Sequence, residues 1–261
     1  MPIYRLGRGD DFFDSASVQD WTNDSLVFGG WGDDTIIARA LSPTSSSRLL
    51  ISGGGGGDTL RLDASNSVAL GGGGRDELTS IGGLGNTLLG GSGGDLLISF
   101  GGGSGMGRGN TLGGGGGPDT FRLTNAGNLV VTGDAGDDHA VSEGDRFLGP
   151  TDAIVDYRRG EPIELRTFGG PDDVPPYTRV EEVALVTDPL SAAGDRFRPV
   201  VGDGEYALIR GSFAGEGVFD VASDGPDLLV VYDSFNGDDN AIAQGSLALL
   251  GVTDPGSVAI G

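Results

Sequence analysis

Glycine-rich runs and short apolar runs alternate in a fixed register between residues 6 and 141. Each copy of the pattern reads Gly-Gly-x-Gly-x-Asp-x-U-x, in which U is a large apolar residue. The five full copies begin at Gly29, Gly53, Gly71, Gly90 and Gly114. Weaker copies flank them, with Leu6 replacing the leading Gly of the first and Asp134 replacing the second Gly of the last. An internal repeat of this kind predicts a solenoid in which each copy forms one rung.

The spacing of the aligned Asp residues defines the length of a rung. These residues are Asp11, Asp34, Asp58, Asp76, Asp95, Asp119 and Asp138. The shorter spacings are 18 or 19 residues, and the 24-residue spacings carry insertions at residues 42–48 and 101–109. The Ser, Pro and Gly content of these insertions is typical of surface loops.

A second, shorter motif divides each rung. It is clearest in the Gly-Asn-Thr-Leu segments Gly85–Leu88 and Gly109–Leu112. A rung therefore reads as a Gly-rich Asp turn, a short strand, a Gly-Asn turn and another short strand. This order predicts a two-sided parallel solenoid whose neighbouring strands lie ~4.8 Å apart. Strand alternation directs the U residues inward as one buried column. That column is Phe13, Ile36, Leu60, Leu78, Leu97 and Phe121, with Ala140 at its weak end.

After Val141 the glycine-rich copies stop and the apolar strands become longer. Residues 152–168 read as two strands around an Arg-Arg-Gly turn, and further strands separated by turn signals follow. This pattern is typical of antiparallel or mixed β-structure. Because the open end of a solenoid aggregates unless it is covered, we predict a parallel roll at residues 1–141 and a β-rich cap at residues 142–261.

The glycine content raises the question of what stabilises this fold. Gly accounts for 52 of the 261 residues, and Gly loses more backbone entropy on folding than any other residue. One or two large inward side chains per rung form a thin core, which does not offset a backbone entropy cost of ~1–2 kcal/mol per residue. The chain has no Cys, so a bound metal is the usual substitute for disulfides.

The net charge of −22 limits the possible partners. It argues against nucleic-acid binding, which needs a positive surface. No apolar run approaches the ~18 residues of a membrane span. The first residues lack the charged and apolar regions of a cleaved secretory signal, so export is expected to use another route. The acidity itself is typical of high solubility, of a salty habitat or of divalent-cation binding.

The aligned Asp residues place like charges along one edge of the roll. Calcium removes this repulsion because it is a hard cation that takes six to eight oxygen ligands. The Gly-rich turns leave their main-chain carbonyls uncovered. We therefore predict that calcium binds along this edge, with the aligned Asp residues and the carbonyls of turn glycines as its ligands. The candidate glycines are Gly7, Gly9, Gly30, Gly32, Gly54, Gly56, Gly72, Gly74, Gly91, Gly93, Gly115, Gly117 and Gly136.

The nonapeptide resembles the RTX, or haemolysin-type, calcium-binding repeat over residues 6–141. The resemblance implies an all-β fold, namely a right-handed parallel β-roll followed by a β-rich capping region. It also implies that calcium ions lie between adjacent turns on one side, up to about six ions in one column.

The C-terminal half carries a second resemblance. Residues 152–165 and 213–252 are similar to the segments that follow the roll in serralysin-type proteases, although Pro162 replaces an Asp and residues 169–200 do not match. This similarity implies a cap that carries an uncleaved signal for the type I secretion machinery. The expected location is therefore extracellular, either secreted or at the cell surface.

The Gly-Asn turns differ from the Asp turns because they lack the six-residue loop and its carboxylate. We interpret Asn86, Asn110 and Asn128 as turn formers that tolerate left-handed backbone, with metal ligation as the alternative. Calcium is then expected on one side of the roll only.

No catalytic site is predicted, and we expect the chain not to be an enzyme. Its single His, His139, cannot form a His-x-x-x-His zinc site, and Ser92 lies inside a Gly-rich turn rather than in a nucleophile elbow. The acidic pairs at residues 181–182 and 238–239 leave a glycosidase pair open on number alone, but no aromatic cleft pattern surrounds them.

A partial basic stripe is the feature that favours a ligand other than calcium. It consists of Arg39, Arg61, Arg75 and Arg122. The rolls of alginate epimerases are similar and grip an anionic polysaccharide; the alternative is charge balance with neighbouring acids. Trp21 and Trp31 are interpreted as core or edge cover, with a sugar platform as the alternative.

Three functions compete on these observations. The first is an extracellular structural or interaction scaffold, folded by calcium and contacting copies of itself or other surface proteins. The second is a calcium-dependent binding module for an anionic polysaccharide, partnered with a separate enzyme. The third is an enzyme with acidic catalysis in the cap. The sequence favours the first.

Overall fold

The computed structural model describes residues 1–41, 47–102, 109–126, 130–132, 146–148, 151–165, 176–181, 183–187, 197–233 and 245–260. Within these ranges the chain forms strands and two short 3-10 turns, Ser15–Ser17 and Pro255–Ser257. None of the described segments is a helix of the length and apolar character that crossing a membrane requires. The fold is therefore all-β, as predicted.

Twelve strands cover the first half of the chain. They are β1 (Ile3–Arg8), β2 (Phe12–Asp14), β3 (Leu26–Trp31), β4 (Thr35–Arg39), β5 (Leu50–Gly55), β6 (Thr59–Asp63), β7 (Val68–Gly73), β8 (Glu77–Ile81), β9 (Thr87–Ser92), β10 (Leu96–Gly102), β11 (Thr111–Gly116) and β12 (Thr120–Ala126).

Twelve further strands are described in the second half. They are β13 (Val130–Thr132), β14 (Arg146–Leu148), β15 (Asp152–Ile154), β16 (Pro162–Leu165), β17 (Thr178–Val180), β18 (Ala184–Thr187), β19 (Phe197–Val200), β20 (Glu205–Gly215), β21 (Val218–Val221), β22 (Asp227–Tyr232), β23 (Gly245–Leu249) and β24 (Ala259–Ile260).

The chain divides into two compact units, the first of which comprises residues 1–102, 110–123 and 161–164. In this unit the odd-numbered strands β1 to β11 pair in order as one sheet, and the even-numbered strands β2 to β12 pair in order as another. Successive strands of each sheet are parallel and in register. Each rung thus contributes one strand to each sheet, which confirms the predicted two-sided parallel solenoid.

Two columns of apolar side chains fill the space between the sheets. The predicted U column is confirmed from Phe13, which is 8% exposed, to Phe121, which is fully buried; Ala140 lies outside the described residues. The facing column comes from the odd-numbered strands and is also fully buried. It consists of Val27, Ile51, Ala69, Leu88 and Leu112. Both columns repeat because parallel pairing keeps equivalent residues of successive rungs opposite one another.

The first rung carries an additional aromatic cluster. The rings of Tyr4, Phe13 and Trp21 lie within 5.1–6.0 Å of one another, centroid to centroid. The indole N–H of Trp21 donates a hydrogen bond of 2.6 Å to the carbonyl of Arg39. Trp21 is therefore a core residue of the roll.

The second unit comprises residues 103–109, 124–160 and 165–261. Its described strands pair in the order β15-β23-β22-β20-β21-β14-β13-β19-β18, with β17 also paired to β20. Most of these pairs are antiparallel, as the pattern predicted. An apolar core of its own includes Phe147, Phe219, Leu229 and Val231.

The two strands predicted around the Arg-Arg-Gly turn are present as β15 and β16, and Gly160 takes a φ of 87° in the turn. Strand β16 pairs with β12 and so extends the second sheet of the first unit. The predicted boundary at residue 141 lies among residues 133–145, outside the described residues.

Candidate metal centre

The Gly-rich turns stack so closely that side chains are excluded from them. Gly54 has a φ of 118° and Gly56 a φ of 130°, both in the left-handed half of conformational space that favours glycine. A Cβ on Gly54 would overlap the carbonyl oxygen of Gly30, and a Cβ on Gly56 would overlap that of Gly32. The carbonyls of one turn therefore lie directly against the backbone of the next.

This stacking repeats at every described candidate glycine that faces a preceding turn. Positive φ angles occur at all the described candidates: Gly7, Gly9, Gly30, Gly32, Gly54, Gly56, Gly72, Gly74, Gly91, Gly93, Gly115 and Gly117. The remaining candidate, Gly136, lies outside the described residues.

The aligned Asp residues form a continuous ladder along one edge of the roll. The main-chain N–H of each Asp donates to Oδ1 of the Asp in the next rung, for example from Asp58 to Asp76 at 2.8 Å and from Asp76 to Asp95 at 2.9 Å. The ladder begins at Asp11 and reaches Asp119. One oxygen of each accepting carboxylate is therefore used to hold neighbouring rungs together.

The second carboxylate oxygen of the central Asp residues has no donor. Oδ2 of Asp34, Asp58, Asp76 and Asp95 is buried and accepts no hydrogen bond, and each of these residues is at most 2% exposed. Buried polar atoms in folded proteins are almost always satisfied, so a repeated exception requires an explanation. A cation bound beside these oxygens would supply the missing partner.

The leading Gly of each copy makes room for this oxygen. A Cβ on Gly71 would overlap both Oδ2 of Asp76 and the carbonyl oxygen of Gly90, which belongs to the next turn. A side chain at Gly71 is therefore excluded by both oxygens. The leading glycines were absent from the predicted site, although their presence in all five full copies was a signal for them. They are Gly29, Gly53, Gly71, Gly90 and Gly114.

The protonation chemistry of the ladder reflects the same burial. Burial raises the pKa of Asp76 to about 6; the hydrogen bond from the N–H of Asp58 opposes this shift, and the charges of Asp95 and Asp58 add to it. Burial is also the largest cause that raises the pKa of Asp34, Asp58 and Asp95. A positive charge beside these oxygens would relieve the penalty, because it favours the ionised form.

The ends of the Asp column differ from its centre. Asp119 is buried like the central residues, whereas Asp11 is only partly buried. Asp138 lies outside the described residues. The weaker first copy of the repeat thus contributes a less buried carboxylate than the five full copies do.

The opposite edge of the roll has a neutral ladder of the same design. The N–H of Ser67 donates to Oδ1 of Asn86, and the N–H of Asn86 donates to Oδ1 of Asn110. The second side-chain atom, Nδ2 of Asn86, donates to the carbonyl of Ala64 at 2.6 Å and to Oγ of Ser80 at 2.8 Å. On this edge the second side-chain atom of Asn86 is therefore hydrogen-bonded, whereas on the other edge the second carboxylate oxygen of the central Asp residues is not.

The interpretation of these Asn residues as left-handed turn formers was wrong. Asn86 and Asn110 are buried ladder residues, and neither has a positive φ. Asn66 takes that conformation instead, with a φ of 54°. The pattern showed a repeated Asn but not its burial; Asn128 lies outside the described residues.

The chemistry of the ligands follows from this arrangement. Among the described residues no three carboxylate or imidazole side chains converge as a metal-binding group. A cation in the Asp edge would therefore take one or two carboxylate oxygens and complete its shell with main-chain carbonyls. Calcium tolerates such a shell, whereas zinc prefers nitrogen and sulfur ligands.

The predicted basic stripe is largely neutralised by acids. Arg39 forms an ion pair with Asp14, Arg61 contacts Asp63 at 2.8 Å, and Arg122 contacts Glu164 at 2.7 Å. The fourth residue, Arg75, is exposed and borders a groove of about 490 Å³ together with Arg122 and Glu164. Charge balance therefore accounts for three of the four guanidinium groups.

Few of the residues considered for catalysis fall within the described ranges. Ser92 is exposed, and its hydroxyl lies 3.5 Å from the carbonyl of Gly72. Glu181 is exposed and contacts Arg179. His139, Glu182 and the acidic pair at residues 238–239 lie outside the described residues.

Comparison with known proteins finds no family model that matches the chain and no curated protein with significant sequence similarity to it.

Proposed function

We propose that the chain is a calcium-binding β-roll of the RTX type, exported and folded outside the cell, where it acts as a structural or interaction scaffold. The observation that carries this proposal is the column of buried carboxylate oxygens without a donor, at Asp34, Asp58, Asp76 and Asp95. Each oxygen lies beside a turn that only glycine can form. Bare carbonyls and carboxylates are the ligands that calcium prefers.

Calcium would link folding to the environment. A buried carboxylate without a partner costs free energy, and four of them in one column repel each other. A bound ion converts this penalty into a gain of RT ln(1 + [Ca]/Kd), about 2.7 kcal/mol when calcium is at 100 times Kd. At the low free calcium inside cells the roll stays unfolded and can be exported; outside, the sites fill and the rungs form.

The biological setting rests on sequence resemblance. The similarity of residues 152–165 and 213–252 to serralysin-type C-terminal regions supports export by type I secretion. A stiff, acidic roll would then act in a matrix or surface layer, with surface proteins or its own copies as partners. The proposal includes no catalytic role.

Circular dichroism of the full chain with calcium and with excess EGTA tests the proposal. We expect the β-signal and the cooperative melt to depend on calcium, with several ions bound, up to about six, in calorimetric titration. Magnesium should substitute poorly because it requires a smaller, more regular shell. An unchanged spectrum and melting temperature in EGTA would contradict the proposal.

A further inference from the structure

The outward side of the first sheet carries apolar side chains where strand alternation would allow polar ones. In β3 the inward residue Val27 is fully buried, and its neighbours Leu26 and Phe28 point to the other side. The same arrangement recurs in the parallel register of the following strands. We call the resulting surface the outer apolar face; it consists of Leu26, Phe28, Leu50, Val68, Leu70 and Leu89.

This face is open to solvent. Leu89 is 39% exposed, and the other five residues are partly buried, because rungs only ~4.8 Å apart shield one another. Ile3 borders the face at the first rung and is 52% exposed. Strands that are apolar on both sides are typical of sheets that are covered on both sides. In the roll, the second sheet covers only the inward side of these strands.

Trp31 borders the same face on the side of the Gly-rich turns. It is 70% exposed, in contrast to the core residue Trp21, which is 6% exposed. Its six-membered ring lies over Gly55 of the next rung, where a Cβ would be 3.2 Å from the ring. Trp31 thus covers bare glycine backbone, as expected of edge cover, and most of its own surface adds to the exposed apolar area.

The outward charges of the central rungs lie on the other sheet. The five strands β1, β3, β5, β7 and β9 contain no Asp or Glu, and their only charged residues are Arg5 and Arg8 of the first rung. The second sheet carries outward acids such as Asp63 and Glu77. Large exposed apolar patches mark interaction sites. A face without acids is therefore the natural contact surface of a chain with a net charge of −22.

The shape of the face favours another sheet as its partner. Insertion into a lipid surface requires apolar groups that reach ~5–10 Å into the headgroup layer, whereas most of these side chains are already partly buried within their own sheet. Two flat sheet faces, in contrast, pack readily against each other with their layers ~10 Å apart.

The charge of the chain is compatible with pairing of two copies through this face. A two-fold axis would direct both charged sheets away from the contact. Three sheet spacings of ~10 Å would then separate the outward acids of one copy from those of the other, well beyond the ~8 Å Debye length at physiological salt. Repulsion between outward acids such as Asp63 is therefore largely screened in this arrangement.

The size of the face sets the expected affinity. Five strands of six residues each span ~24 Å across the sheet and ~20 Å along the strands. Pairing two such faces removes roughly 1,000 Å² of surface in total, which is near the lower limit for a specific interface. The expected dimer is therefore reversible, with a Kd on the order of 10⁻⁶ M.

We propose that the roll forms a two-fold dimer in which the outer apolar faces of two copies pack against each other as a β-sandwich. The inference rests on the proposed scaffold function and names its partner, a second copy of this chain. It requires the folded first unit, because only the registered strands bring these side chains onto one surface.

Analytical ultracentrifugation of the calcium-loaded full chain tests the proposal, over concentrations from about 1 to about 100 µM that bracket the expected Kd. We expect a reversible monomer–dimer equilibrium. Leu50→Glu should weaken the dimer by roughly tenfold or more, because the two-fold axis would bury two unpaired carboxylates. The matched control is Thr59→Glu, which adds the same charge at an exposed position of the second sheet and should dimerise normally.

A cross-link locates the contact without a disruptive substitution. The chain has no Cys, so a single introduced Cys reports one position. Ser52 lies in β5, the middle strand of the five, between Phe28 and Leu70 in the register. Under mild oxidation Ser52→Cys should form an intermolecular disulfide, whereas Thr59→Cys should not.

Circular dichroism checks that each variant folds with calcium. A monomer over the whole concentration range, an equal loss of dimer in Thr59→Glu, or equal cross-linking of the two Cys variants would overturn the proposal. So would binding of the monomer to phosphatidylcholine vesicles that Leu50→Glu abolishes, which would assign the face to lipid. A chain that folds with calcium but stays monomeric would overturn only the dimer, whereas a dimer that stays folded in EGTA would overturn only the calcium proposal.

Discussion

Asp76 and Asn86 show that the two edges of the roll differ in one side-chain atom per ladder residue, an oxygen in Asp and an amide nitrogen in Asn. Both side chains accept a main-chain N–H through Oδ1. The second atom of Asn86 is an amide nitrogen that donates to Ala64 and Ser80, whereas the second atom of Asp76 is an oxygen that accepts nothing. An Asn at such a position therefore satisfies its buried side chain, whereas an Asp leaves one buried oxygen without a donor, which the calcium proposal assigns as a metal ligand.

Asp76→Asn is expected to change stability in opposite directions with and without calcium. In EGTA the variant should be more stable than the wild type by about 1 kcal/mol, because a buried charge is removed. In calcium the variant should be less stable than the wild type, because a charged ligand of the ion is lost. Thermal melts in both buffers measure this. Destabilisation in EGTA as large as that in calcium would contradict it. The control is Asp20→Asn, a change at an exposed carboxylate outside the Asp column.

The raised pKa values predict how the calcium-free protein responds to acid. Burial lifts the pKa of Asp76 to about 6, above the ~3.9 of an unfolded Asp. The folded state therefore binds more protons between these values, so stability is gained as the pH falls and lost as it rises through the folded pKa. In EGTA we expect a higher melting temperature at pH 5 than at pH 7.5. Asp76→Asn should reduce this difference, and an equal or lower melting temperature at pH 5 would refute it.

The Gly-rich turn is the element in which the backbone itself sets the limits on substitution. Gly72 has a φ of 119°, and a Cβ there would overlap the carbonyl of Gly54. Gly116 lies in an equivalent turn, but its nearest neighbour to a Cβ is the carbonyl of Gly91 at 3.7 Å. Glycine content alone therefore overstates how many of these positions require glycine.

Gly72→Ala should destabilise the calcium-loaded roll by about 1–3 kcal/mol or more, through backbone strain and overlap with the preceding turn. Gly116→Ala should be close to neutral. Chemical denaturation followed by circular dichroism compares the two variants. If both lose the same stability, the stacking of neighbouring turns is not what restricts Gly72.

The strands of the roll illustrate which elements a sequence pattern can predict. The U column is read directly from the repeat because parallel strands in register bury the same position in every rung, as for Leu60 and Leu78. Strand β16 could not be placed in this way. It follows the turn at Gly160 outside the repeat, and only its pairing with β12 assigns it to the first unit.

Across the whole chain, the two units differ in what stabilises them. The first has thin apolar columns and an Asp ladder, whereas the second has strands such as β22 and β23 in which every residue is buried. Apolar burial does not depend on calcium. The calcium proposal therefore concerns the first unit.

Hydrogen exchange measured by mass spectrometry should separate the two units. With EGTA we expect peptides from residues 50–100 to lose protection, while peptides from residues 205–232 retain it. The physical reason is that removal of calcium leaves the carboxylates of the Asp ladder, which belongs to the roll, to repel one another. Equal protection of the roll with and without calcium would contradict the proposal, and simultaneous loss in both units would show that they unfold together.

The repeat by itself determined the parallel roll, the inward U column and the position of the Asp edge, because period and strand alternation are properties of the chain alone. Tertiary structure decided which polar atoms are satisfied. Only the packing of neighbouring strands shows that Nδ2 of Asn86 donates to the carbonyl of Ala64, that Asp76 keeps an oxygen without a partner, and that Arg122 is paired with Glu164. Those outcomes depend on neighbours from other rungs, which a linear pattern does not contain.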